Sequence, residues 1–155
     1  MRSPFRPRDT RSSGGTGRLP LPSRFVRARY RRCRRSPISR ALGAARSGNP
    51  EAAKPEIAKL VELRDKLREA KDGYWSEQVD IQQKVASAWV LYAEGKYDDA
   101  LSAMSAAADA EDRTEKHPVT PGVPKPAREF YGVMLLESGM PNEALAAFEA
   151  TLKKE

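Results

Sequence analysis

Ser138-Gly139-Met140-Pro141-Asn142-Glu143-Ala144 shares its serine, glycine, proline and closing alanine with an earlier stretch, Ser47-Gly48-Asn49-Pro50-Glu51-Ala52-Ala53. A third glycine extends the pattern. Gly48, Gly95 and Gly139 each have an alanine five residues on (Ala53, Ala100, Ala144) and a large apolar residue four beyond that (Ile57, Met104, Phe148). Recurrence of this kind marks an array of helical units that cannot bury their apolar faces alone and stack to share a core. Glycine suits the turns because it reaches backbone angles that side chains disfavour.

The wider frame supports the same reading. Tyr131-Gly132, Leu135, Ala144 and Phe148 fall in one unit, Ala88, Leu91, Tyr97, Ala100, Met104 and Ala107 in the one before, and Ala41, Ala44, Ala53, Ile57 and Leu60 in the first. On these residues the chain, from about residue 39 to 155, resembles the tetratricopeptide repeat, a helix-turn-helix of about 34 residues with small residues where its two helices cross. The resemblance implies an all-α, antiparallel helix-turn-helix repeat array over residues 37–155, of about five helices. There are departures from the family pattern. The tryptophan is replaced by Lys84 and Arg128, and the glycines lie 47 and 44 residues apart. A HEAT-like array, with units of about 40 to 47 residues, is the structural alternative.

The extra length has two sources. Ala53, Ile57, Leu60, Val61, Leu67 and Ala70 form a helical stripe, opposed by Glu62, Arg64, Asp65, Lys66, Arg68 and Glu69. Asn49 and Pro50 suit the start of this helix, and Asp72-Gly73 is expected to stop it. A second long helix is predicted from about Tyr74 to Glu94, carrying Trp75, Ile81, Val85, Ala88, Trp89 and Tyr92. Later, residues 111–126 contain Pro118, Pro121, Pro124 and Pro126, which predict a loop.

Charge divides the chain. Residues 1–46 hold fourteen arginines against the lone Asp9, a balance of +13, and the remainder carries −6. The repeats therefore lack the basic footprint of a nucleic-acid-binding domain. Residues 1–36, rich in Arg, Pro, Ser and Gly, hold too few apolar residues to offset the entropy of ordering and are expected to be disordered. Three origins are open for this segment: coding sequence unrelated to the repeats, an organellar targeting peptide, or an arm that binds nucleic acid or an anionic membrane. Export by a twin-arginine signal fails, since Pro37 to Ala45 is too short and polar for its apolar core. The repeat frame starts midway through a unit and stops where a further helix is due, so the chain is expected to be part of a longer repeat protein. Without a targeting signal the default compartment is cytoplasmic.

Catalytic and metal chemistry find no footing. His117 is solitary in the proline-rich loop, and Cys33 stands alone among arginines. Metal-ligand spacings, a P-loop and a dinucleotide glycine signature are absent, so no enzyme activity, cofactor or metal is expected. Asp98-Asp99 and Glu111-Asp112 read as turn and helix-end residues. No stretch approaches the roughly twenty apolar residues of a membrane span.

What remains is a binding surface. In the resembled family the first helix of each unit faces the ligand, which implies Gln82, Val85, Trp89 and Tyr92 in the middle unit and Glu129, Val133 and Leu136 in the last. The implied role is a non-catalytic scaffold for a protein or peptide partner, or for further repeats of a longer chain. A family subclass clamps a terminal carboxylate with lysine, arginine and asparagine, whereas Val85, Trp89 and Val133 occupy that surface here. The alternative for Trp89 and Tyr92 is core between helices.

Because residues 1–36 contribute no core, deleting them should leave the helical circular-dichroism signal unchanged and move the thermal midpoint by no more than a few degrees. A large loss of cooperativity would show that the segment is part of the fold.

Overall fold

The computed structural model describes residues 36–114 and 125–154. The arginine-rich segment before Ser36 and the residues Cys33 and His117 lie outside them, as do residues 115–124 of the predicted loop. Among the described residues the protein is all-helical: α1 (Pro37–Arg46), α2 (Pro50–Glu69), α3 (Gly73–Ala93), α4 (Tyr97–Arg113), α5 (Ala127–Glu137) and α6 (Pro141–Lys154). That is six helices where about five were expected. The addition is α1, a helix in its own right because Ser36 is extended and Pro37, with its fixed φ, stands at the first helical position.

The three glycines behave alike. Gly48, Gly95 and Gly139 have φ of 78°, 81° and 78°. After each, the next N–H donates back to a carbonyl five residues earlier, Asn49 to Ala44, Lys96 to Leu91 and Met140 to Leu135. Left-handed glycine with this bond closes the last turn of α1, α3 and α5 and reverses the chain within three residues. The α2–α3 turn departs from expectation. It uses Lys71, at φ 58°, in place of Gly73, which is the first residue of α3. Asp72 donates its N–H to the Leu67 carbonyl as α2 closes, and its side chain caps α3 by accepting from the Trp75 N–H at 3.2 Å, so it ends one helix and begins the next. Asn49 caps α2 in the same way, accepting from Ala52 at 3.1 Å.

Each helix packs on its neighbours in sequence, and α1 and α5 also reach α3. The small residues sit where the helices meet. Ala41, Ala53, Ala88, Ala100, Ala107 and Ala144 are all buried, around the larger Leu60, Trp89, Met104 and Met134. Gly132 shows how close the last crossing is: a Cβ built there would lie 2.6 Å from Cε1 of Phe148. The long antiparallel pair α2–α3 is joined at its far end by Asp80, which meets Lys84 at 2.8 Å and Arg64 at 3.2 Å. Burial pushes the Asp80 carboxyl up, but the hydrogen bonds from Lys84 and Arg64 outweigh this and hold it below its ordinary value.

The predicted loop is shorter than its composition suggested, because Glu111 to Arg113 complete α4. Their carboxylates explain it. Glu111 accepts from the Ala127 N–H at the start of α5, and Arg128 donates to Asp112 and, at 2.6 Å, to Asp109. Acidic groups at the end of α4 thus serve the unpaired donors of the next helix.

Packing at the last crossing should be intolerant of added bulk. Gly132→Ala and Ala144→Leu should each cost about 1–3 kcal/mol in urea unfolding, while Ala106→Leu, at an exposed site of α4, should be nearly neutral. Equal effects at all three sites would remove the crossing from the fold's energetics.

Glu56 supplies a pH signature. Hydrogen bonds from Arg40, at 2.6 Å, and Lys59, at 2.8 Å, hold its carboxyl down to about 2. A depressed carboxyl stabilises the fold above its unfolded-state pKa, and that contribution is lost as pH falls from about 4.5 towards 2. Glu56→Gln should flatten that part of the pH dependence of the urea midpoint, and an unchanged acid limb would show that the trio contributes nothing.

Candidate functional site

The turns bring the last residues of α1, α3 and α5 together. Arg46, at the end of α1, donates from Nη2 to Oε1 of Glu137, at the end of α5, over 2.6 Å. Between them runs α3. The Arg46 guanidinium lies over the Trp89 indole, 4.7 Å from the ring centroid. Trp89 packs edge-to-face on Tyr92 at 5.5 Å, and Tyr92 on Tyr97 at 4.9 Å. The Tyr92 hydroxyl stands 3.5 Å from Oγ of Ser138, which donates to the Met134 carbonyl. Three helices are therefore bridged by one arginine and one aromatic row.

Burial separates the sequence-derived candidates. Val85 and Trp89 belong to the main core, at 3% and 2% exposure. Val133 and Tyr92 are half-buried against that core, and Gln82 is half-buried on α3. Leu136 is 55% exposed. Glu129 is half-buried, paired with Lys125 at 3.2 Å, and Lys125 lies 4.7 Å from the Phe130 ring centroid. The structure thus gathers Trp89, Tyr92 and Val133, with Leu136 beside Glu137. Gln82 lies seven residues, roughly 10 Å, before Trp89 along α3, and Glu129 is displaced similarly on α5.

The Trp89 Nε1–H is buried without a hydrogen-bond partner. Leaving such a donor unpaired costs free energy. In the ordinary sense the indole is core, and the guanidinium over its ring is itself 42% exposed.

Arg46 and Glu137 were missed from the sequence, yet a signal for them exists. Each stands two residues before a turn glycine, and the matching residue of α3 is Ala93. Arginine, alanine and glutamate thus occupy one register on successive first helices. The small middle residue leaves room for the outer two to meet.

Among the described residues no group of three or more His, Cys, Asp or Glu side chains is placed to hold a metal ion, and no helix is long and apolar enough to cross a membrane. Comparison of the chain with protein-family models, curated proteins and solved structures yields no significant match.

Proposed function

We propose that this protein is a non-catalytic interaction scaffold of tetratricopeptide-like type, and that the α1–α3–α5 row receives a protein or peptide partner. The observation that carries the reading is the common register of the three first helices. The three glycine turns are alike, and counted back from them Trp89 matches Val133 and Tyr92 matches Leu136, the register in which the resembled family presents its ligand-facing residues. The close approach of Gly132 to Phe148 supports the same frame, since small-against-large contact is what lets the helices of such a unit cross. An amphipathic helix would suit the surface, with Leu136 as its exposed apolar contact and Tyr92 as an aromatic contact at the core edge.

The test is selection of displayed peptides against the full chain, followed by affinity measurement on variants. Binders should weaken about tenfold or more on Leu136→Asp and Tyr92→Ala, but not on Leu63→Asp, an exposed apolar site on α2. Binding insensitive to both variants, and falling steeply with salt, would instead assign recognition to the arginine-rich segment and an acidic or nucleic-acid partner.

A further inference from the structure

α3, at twenty-one residues, is about twice as long as α1 and α5, at ten and eleven. Counted back from the turn glycines, α1 and α5 begin level with residues 84 and 83 of α3, so its residues 73–82 run ahead of both. Trp75, Gln78 and Gln82 stand there at spacings of three and four, on the face of α3 that carries Trp89 seven residues further on. Trp75 and Gln78 precede the positions to which the family frame points.

Ser76 and Gln78, 6% and 7% exposed, are the buried polar residues among those described, and Ser76 donates to the Gly73 carbonyl at 2.8 Å. Gln78 has no such bond. Neither its amide nor that of half-buried Gln82 has a hydrogen-bond partner among the described residues. Unlike the Trp89 nitrogen, the Gln78 amide is not sealed off, so a buried stem holds its polar end at the surface. Trp75 is 44% exposed, its ring set edge-to-face on Tyr74 at 5.1 Å.

We propose that Trp75, Gln78 and Gln82 bind an extended peptide segment of a partner chain, the two amides pairing with its main chain and the indole with an apolar side chain. A glutamine amide offers both a donor and an acceptor, which matches a peptide group. The main chain of a helix uses those groups internally, whereas an extended segment leaves them free. The spacing agrees. Residues four apart on a helix are about 6 Å apart along its axis and alternate residues of an extended chain about 6.6 Å, so the two amides meet alternate peptide groups on one edge of the segment. Such a segment lies along α3, ahead of the Tyr92 and Leu136 contacts.

The proposal rests on the reading that this side of the array receives a partner, and the variants tell the two apart. Random linear peptides are selected by display against the full chain, and their affinities are measured on variants. Trp75→Ala should weaken binding about tenfold or more, and Gln78→Met and Gln82→Met, which keep the length of the side chain without its amide, roughly threefold to tenfold each. The methionine variants should unfold in urea at the same or a higher midpoint, because the amides they remove have no partner in the fold. Methylating the peptide's main-chain nitrogens one at a time should weaken binding at every second position, a pattern that a helical period of about 3.6 does not give.

Binders that depend on Leu136 and Tyr92 but not on Trp75, Gln78 or Gln82 would overturn this proposal and leave the partner-binding reading standing. Binders indifferent to all of these residues, or no binder at all, would overturn both. Loss on Trp75→Ala without the alternating pattern would make the contact apolar only and overturn the proposal. A lowered urea midpoint in the methionine variants would do the same, since the amides would then serve the fold.

Discussion

The left-handed backbone at Gly48, Gly95 and Gly139 is the constraint on which the rest depends. A side chain at such a φ is strained, and the conformation is needed each time to bring an N–H back to a carbonyl five residues earlier. Since the three turns are alike, the helices before them end in like fashion. That common ending puts Arg46, Trp89, Tyr92, Glu137 and Ser138 within reach of one another, although the outermost pair is separated by 91 residues of sequence. Lys71 makes a similar turn between α2 and α3 without glycine. Its side chain is exposed, so only the backbone preference stands against it.

Alanine sets the second requirement. A buried methyl contributes little hydrophobic free energy, so these crossings gain mainly from allowing the larger residues to touch. Trp89, Leu60, Met104 and Met134 fill the space that the alanines leave. The lengthened α2 and α3 extend past this core, and there charge adds to a second apolar cluster that includes Leu60, Leu67 and Val79. Asp80 gathers Lys84, Arg64 and, at 3.8 Å, Arg68. The exposure of Lys84 and Arg68 limits what such pairs contribute.

Much of this was legible from residue spacing. The turn glycines, the cap at Asn49, the apolar stripe of α2 and the small residues at crossings all express local rules, and those rules operate wherever the residues occur. Two local readings were incomplete for one reason. Asp72 stops α2 as expected but also caps α3, and Glu111-Asp112, at a helix end as expected though also counted into the loop, serve the first donors of α5. The site was less accessible. A family frame points to positions on a helix face, but whether Val85 and Trp89 face a partner or the core depends on how far α1 and α5 lean over α3. That is a property of the whole array, not of any one segment. Arg46 and Glu137 could have been found by aligning the three turns and asking which charges share a register.

The unpaired Trp89 N–H is the least comfortable feature of the core, and it clarifies what the indole contributes. A buried donor without an acceptor costs about 1–3 kcal/mol, so hydrogen bonding cannot be the reason a tryptophan fits here. Its ring offers two things that a smaller aliphatic side chain would not. One is area, enough to touch Tyr92 while filling the centre of the bundle. The other is a π face, on which a guanidinium is held more strongly than over phenylalanine. Arg46 uses that face, and through Glu137 it ties α1 to α5. The free energy lost at the nitrogen is therefore set against packing below the ring and a cation above it. Only the second of these is exposed to solvent. The cohesion of the three helix ends consequently varies with ionic conditions at the top of the ring, while the packing beneath it does not.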